Sequence, residues 1–592
     1  MRILLLTRSF NSLSQRLYLD LTALGHAVSV ELDIADAVTI EAVALFKPAL
    51  IVAPYLTRAI PESIWRQTVC LIVHPGVVGD RGPSALDWAI AEGEREWGVT
   101  VLQAVAALDA GPVWAAETFA LREATKSSIY RQEVTAAASR AVVAAVRHFE
   151  AQGSALPAAD WPGARGRPRR AMTQADRRIA WARDGTQAVL RALRAADGSP
   201  GVLDALFDTP CHLFDGHAQP LHHRHEPGLV IARRGDALLR TTIDGAVWIG
   251  HVRRADGAGH FKRPAALAFP AQSAELPIWP GALDAQAGAA GASDIRLEVE
   301  AETVYLHFNF HNGAMSATQC ESLNAALRQA LALPQRVLVL LGGADFWCNG
   351  IHLNVIEAAD SPADESWHNI TAMNDLTRTL IEANDRIVVA AMQGNAGAGG
   401  VFMALAADQV WARRGVVLNP HYKNMGNLYG SEYWTYLLPR RLRAGSVDTV
   451  MNRRLPLDAE QALPLGLVDA VFGASPPAFI AEVRQRATEL ARDADLPALL
   501  RAKRNRRDAD EARMPLSSYR EAEEVRMRRN FYGFDPSYHI ARANFVHRVP
   551  ASWTPRHLAI HRQTPPAPPA PPTAAQSDPD QVTGGSGSQP AG

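Results

Sequence analysis

The sequence predicts a multidomain α/β protein in which two α/β units flank a small β-rich one. Three observations carry that reading. Short apolar runs alternate with helical periods at both ends of the chain, the middle alternates apolar residues with tight turns, and two Pro/Gly/Ala-rich stretches separate the parts. The 592 residues, 47% of them hydrophobic and 20% charged, supply several buried cores and exclude a wholly disordered chain. Lys plus Arg total 60 against 61 Asp plus Glu, so a net charge of −1 gives no global pull towards nucleic acid or an anionic membrane. No apolar run approaches the roughly 18 residues that span a bilayer. The opening MRILLLTRSF is too short for a signal peptide and reads as a first buried strand. Cys70, Cys211, Cys320 and Cys348 lie far apart with no CxxC pair. Neither a disulfide framework nor a metal site is expected, and reduced thiols fit a cytoplasmic location.

The first unit is taken as residues 1–156. Its runs are Ile3–Leu6, a helix through Ser14–Leu24, Ala27–Leu32, Ala49–Pro54 and Val69–Gly76, which predict a parallel sheet with helices on both faces. Ligands of such sheets sit beyond the carboxyl ends of the strands, where Arg8, Ser9 and His74 fall. Pro157–Arg170 reads as a linker. In the second unit, 171–284, Asp176–Ala195 is expected to be helical and Gly228–Arg254 to form a small barrel or open sheet. Ala285–Ser293 reads as a second linker. The third unit, 295–552, restarts the pattern with a strand region from Ile295, a helix through Gln319–Leu331, a strand in Arg336–Gly343, a helix through Thr371–Ala383, and a strand in Arg386–Gly394. The Pro, Ala, Gly and Ser tail from Thr564 to Gly592 is expected to be disordered.

Two clusters stand out in the first unit: His74-Pro75-Gly76 followed by Asp80-Arg81-Gly82-Pro83, and Leu108-Asp109-Ala110-Gly111. A strand-end histidine works as a general acid/base near neutral pH, and a carboxylate brought beside it orients the ring. The plainer alternative is that His74 ends a strand and Asp109 makes a turn. Together the clusters resemble the formyltransferase family that uses 10-formyltetrahydrofolate. The resemblance implies that His74 and Asp109 flank the formyl carbon. Arg81–Ile90 (RGPSALDWAI) is similar to that family's helix start, and Met172–Arg183 with Asp197–Gly201 to the entry of its carboxy-terminal β domain. The family's Asn two positions before the histidine is here Ile72.

The third unit carries Ala344–Gly350 (ADFWCNG) and, about 50 residues on, Gln393–Gly400 (QGNAGAGG), each after an apolar strand. Glycines there allow close backbone approach and open a helix whose first N–H groups point outward, the ingredients of an oxyanion hole. The pair resembles the crotonase (enoyl-CoA hydratase/isomerase) family, and the resemblance implies oxyanion donors at Asn349 and Gly399. The positions of the two hydratase glutamates fall on Phe402 and Tyr422, so water addition to an enoyl thioester is not expected. The polar-aromatic run Asn419–Trp434 offers Tyr422 as a hydrogen-bond donor and Glu432 as a proton relay; the alternative is aromatic core packing with Glu432 as a helix cap.

A formyltransferase-like unit fused to a crotonase-like one is similar to a family of hydrogenase-maturation proteins. That resemblance implies formyl transfer from 10-formyltetrahydrofolate to the thiol of coenzyme A, then decarbonylation of formyl-CoA to carbon monoxide for a [NiFe] hydrogenase. The partners implied are small molecules and the hydrogenase maturation machinery. For the phosphates of CoA, Arg8 is preferred over the basic run Arg501–Arg507, which reads as a solvated helix face. The rival readings are a non-catalytic formyl-folate/CoA scaffold and a hydrolase that releases formate from formyl-CoA.

Overall fold

Ile3, Leu4, Leu5 and Leu6 are each at most 1% exposed, and this apolar run seeds the first sheet. The computed structural model describes residues 1–156, 165–257, 260–279, 294–442 and 446–563. Six strands, β1 (Arg2–Thr7), β2 (Ala27–Leu32), β3 (Leu50–Tyr55), β4 (Cys70–His74), β5 (Glu96–Gln103) and β6 (Val113–Ala120), lie in the order β2-β1-β3-β4-β5-β6. The first four are mutually parallel, but β5 runs antiparallel to β4 and β6 antiparallel to β5. The sheet is therefore mixed, not wholly parallel as the sequence suggested. Residues 104–112 are too few for the roughly dozen that a parallel crossover needs.

The second sheet is antiparallel and open: β7 (Val202–Leu206), β8 (Thr209–Gln219), β9 (Val230–Arg234), β10 (Ala237–Thr241), β11 (Ala246–Arg254) and β12 (Arg263–Pro264), ordered β7-β8-β11-β10-β9 with β12 on β11. Its helix spans Thr186–Ala196, shorter than the expected Asp176–Ala195. Residues 176–185 form turns instead, because side chains compete for the backbone. Asp184 accepts the Ala180 N–H at 2.7 Å, and Asp176 accepts the Thr173 N–H at 2.8 Å.

The third sheet contains β13 (Ile295–Glu300) and β14 (Thr303–Phe308), followed after β15 (Ala314–Met315) by β16 (Val337–Leu341). Next come β17 (Phe346–Cys348), β18 (Gly350–Ile351), β19 (Ile387–Met392), β20 (Asn395–Gly397), β21 (Gln409–Arg413), β22 (Val417–Asn419), β23 (Leu457–Asp458) and β24 (Ala470–Phe472). The main sheet runs β13-β14-β16-β19-β21-β24, parallel from β14 onward, with β17-β20-β22-β23 as a smaller sheet beside it. Every residue of β16 and β19 is buried, as a strand covered on both faces requires. Their carboxyl ends deliver the two glycine-bearing loops.

The described part of the first expected linker, residues 165–170, packs on the first unit. Residues 157–164 lie outside the described residues, but Pro168 bridges to Arg81, and Gly166 packs so tightly on Gly79–Asp80 that a Cβ there would collide. The second linker, Ala285–Ser293, and the tail from Thr564 also lie outside the described residues. Among those that are described, no helix is long and apolar enough to cross a membrane.

The first and third units meet at the loop after β16. Asp345 accepts hydrogen bonds from Ser128 (2.7 Å) and Gln132, and Arg131 reaches Asn312 at 2.8 Å. Asn419 donates to Gln15 at 3.1 Å across the same junction. The loops of the third unit therefore rest on side chains of the first.

Candidate active sites at the sheet ends

His74 ends β4 and is 4% exposed. Its Nε2 lies 2.9 Å from Asp80 Oδ1, while Nδ1 lies 3.6 Å from Asp109 Oδ2. The imidazole thus stands between two carboxylates, and the hydrogen-bonded one is Asp80, a residue to which the sequence assigned no role. The Arg169 guanidinium binds the other Asp80 oxygen and also Glu92, which fixes the carboxylate in place. Gly76 is obligatory here, because a Cβ would run into both the His74 ring and Asp80. Asp109 sits in the left-handed region at φ 51° and accepts the Gly82 N–H at 3.1 Å. That leaves its second oxygen for other work. Ile72 is paired in β4 between Ala53 and Leu102, so no side-chain amide stands two residues before the histidine.

Arg8 follows β1 as expected, but its guanidinium turns to the Asp33 carbonyl oxygen at 3.4 Å. The basic run is not a solvated face throughout. Lys503 is buried on Asp408 at 2.6 Å, and Arg507 is buried on the Tyr436 hydroxyl at 2.7 Å.

In the third unit the two glycine loops converge. A Cβ built on Gly350 would lie 3.4 Å from the Gly399 nitrogen, and the Trp347 indole ties the loops by donating to the Gly400 carbonyl at 3.0 Å. Gly399 opens the helix Gly399–Leu405, so its N–H is among those without an intrahelical acceptor. Asn349 does not fill the expected donor role. Its backbone N–H is given to the Gly313 carbonyl at 2.7 Å and its side-chain amide to the Asn312 carbonyl at 2.8 Å. The loop turns towards Gly399 one residue later, at Gly350.

The carboxyl group that meets Gly399 is Glu432. A Cβ on Gly399 would collide with its oxygens, so the glycine makes room for them. Glu432 accepts the Tyr422 hydroxyl at 2.5 Å and the Ser431 N–H at 3.2 Å. It is 1% exposed, and burial pushes its carboxyl up to about 7, with the Tyr422 hydrogen bond pulling the other way. Burial, reinforced by the Glu432 charge, raises the Tyr422 phenol. Phe402 and Tyr422 stack at 5.2 Å between ring centroids and an angle of 17°. Tyr422 also needs Gly430, where any side chain would strike its ring. The arrangement is one exchangeable carboxyl, one phenol and a main-chain donor in an aromatic wall.

Residues 31–146 match the formyl transferase family, 171–259 its C-terminal domain, and 302–554 the enoyl-CoA hydratase/isomerase family. Over 95% of its length the chain is 53% identical to the hydrogenase maturation factor HoxX of Bradyrhizobium diazoefficiens, covering 97% of that protein. The chain belongs to the HoxX/HypX family of hydrogenase maturation factors. Its fold follows that of HypX from Aquifex aeolicus in complex with tetrahydrofolic acid, with a TM-score of 0.91, 44% identity, and coverage of 95% of this chain and 99% of that one. A methionyl-tRNA formyltransferase of Gluconacetobacter diazotrophicus is 30% identical over 37% of this chain and 67% of its own. As a HoxX/HypX member, the protein thus joins a formyltransferase domain to a crotonase-like one.

Proposed function

We propose that the first unit transfers the formyl group of 10-formyltetrahydrofolate to the thiol of coenzyme A, and that the third splits formyl-CoA into carbon monoxide and CoA for a [NiFe] hydrogenase. In the first step His74 takes the thiol proton as sulfur attacks the formyl carbon, and returns it to the departing folate nitrogen. Asp80 holds the ring, and Asp109 faces its other nitrogen. The tetrahydrofolate named with the HypX structure is the ligand class this unit is expected to accept.

In the second step Gly399 polarises the formyl carbonyl. The Glu432 carboxylate removes the formyl hydrogen, the C–S electrons leave with sulfur, and the carbon departs as carbon monoxide. The proton on Glu432 then passes to the thiolate, so HC(O)–SCoA yields CO and HSCoA with no net proton and no water. The observation that carries this reading is the Glu432 carboxyl seated against Gly399 and bonded to Tyr422, where a carboxylate pair for handling water is replaced by stacked Phe402 and Tyr422. The junction at Asp345 supports a relay between the units. CoA contacts are proposed for Arg8.

Mixing the protein with 10-formyltetrahydrofolate, with and without CoA, tests the reading. Carbon monoxide is expected only with both. Formate in its place would favour a hydrolase, and unreacted donor would favour a binding scaffold. Water exclusion is tested by Phe402→Glu, which places a general base where an aromatic ring stands. Such a base is worth about 10²–10⁴-fold, enough to redirect a formyl thioester. The folded variant should shift its product from carbon monoxide to formate, most of all at alkaline pH, where the buried glutamate ionises. An unchanged product ratio there would show that Phe402 does not exclude water.

A further inference from the structure

Glu523, on the helix Leu516–Tyr532, is 1% exposed, and the chemistry above leaves it unused. Its Oε2 accepts the Tyr433 N–H at 2.9 Å and lies 3.3 Å from the Ser431 hydroxyl oxygen. Its Oε1 accepts the Thr435 N–H at 2.9 Å and the Thr435 hydroxyl at 2.6 Å. These residues bracket Glu432 in sequence. Glu432 and Tyr433 are consecutive at φ 60° and 58°, a left-handed pair that residues with side chains adopt only when their surroundings hold them there. Asn374 grips the turn from the other side, its Oδ1 accepting the Glu432 N–H at 2.9 Å and the Ser431 hydroxyl at 2.8 Å.

The helix Trp434–Arg441 begins at Tyr433, which supplies no side-chain cap. Its first N–H groups would be unsatisfied in a buried setting. A carboxylate from a separate helix fills that place, and the helix dipole favours it. We infer that Glu523 is a positioning residue: it caps this helix and so locks the 431–435 turn in the conformation that presents the Glu432 carboxyl to Gly399. The inference rests on the decarbonylation reading. Burial pushes Glu523 up to about 8, with the Glu432 charge adding to the rise, so Glu432 ionises first.

The test supplies formyl-CoA directly to the full chain and follows carbon monoxide release across pH in the wild type and in Glu523→Gln. The glutamine keeps the volume but turns an NH2 group towards N–H donors. A displaced reacting group costs on the order of 10²-fold, so kcat should fall by about that factor with KM unchanged. The pH midpoint of the residual activity should stay near 7, because Glu523 is uncharged while Glu432 ionises. An unchanged melting temperature and unchanged formyl-folate consumption establish that the variant is folded. Wild-type kcat in the folded variant overturns the inference. If the glutamine variant does not fold, Thr435→Val decides: it removes one donor from Glu523 and none from Glu432. A several-fold loss of kcat at constant KM then supports the inference, and wild-type kcat overturns it. A wild type that releases no carbon monoxide from formyl-CoA overturns the decarbonylation reading and this inference with it.

Discussion

Glu432→Gln is expected to leave 10-formyltetrahydrofolate consumption intact while carbon monoxide output falls by about 10²–10⁴-fold, the usual worth of a general base, and formyl-CoA accumulates. The amide keeps the shape of the group that meets Gly399 but cannot take the formyl hydrogen. In the wild type, carbon monoxide formation should rise with pH through about 7, because Glu432 acts as a base and burial has raised its carboxyl to that value. The Tyr422 hydrogen bond lowers that carboxyl, so Tyr422→Phe should move the midpoint upward. Loss of carbon monoxide with no accumulating thioester would mean that these residues serve binding or folding. Quenched-flow separation of the CoA species is the measurement.

The second large effect lies in the first unit. His74→Ala should abolish formyl-folate consumption and with it all carbon monoxide, and supplied formyl-CoA should restore the latter. Asp109→Ala and Asp80→Asn should each cost activity through the same imidazole. Adding either to His74→Ala should therefore cost little more, since residues acting as one unit are non-additive. Fully additive losses would show that the carboxylates act separately from the histidine. Asp80→Asn also leaves Arg169, 8% exposed, with one carboxylate instead of two. Its melting temperature must be read alongside its rate.

The apolar strands and the glycine loops were legible because each is a local signal. Ile3–Leu6, Val337–Leu341 and Ile387–Met392 are continuous buried runs, and the loops after the last two carry the glycines that close packing requires. Strand β6 was missed because polar residues such as Glu117 and Thr118 interrupt it, and its direction follows from the short loop before it. His74 with Asp109, and Tyr422 with Glu432, were legible from residue type and context, and the fold brings each pair together. Asp80 lay in plain sight six residues after His74, but only the turn built around Gly76 and Gly79 shows that it is the bonded carboxylate. The expectation at Asn349 fails because its N–H goes to the Gly313 carbonyl, a contact that nothing in the sequence reveals. Arg169 and Glu523 reach their sites from distant segments and left no sequence signal.

The central claim is that formyl carbon leaves as carbon monoxide and CoA returns unchanged. It is tested most directly with 10-formyltetrahydrofolate labelled with carbon-13 in the formyl group, in the presence of less CoA than donor. The account predicts labelled carbon monoxide in the headspace in amounts that exceed the CoA supplied and match the tetrahydrofolate formed. Label recovered as formate, or carbon monoxide absent while the donor is consumed, would contradict it.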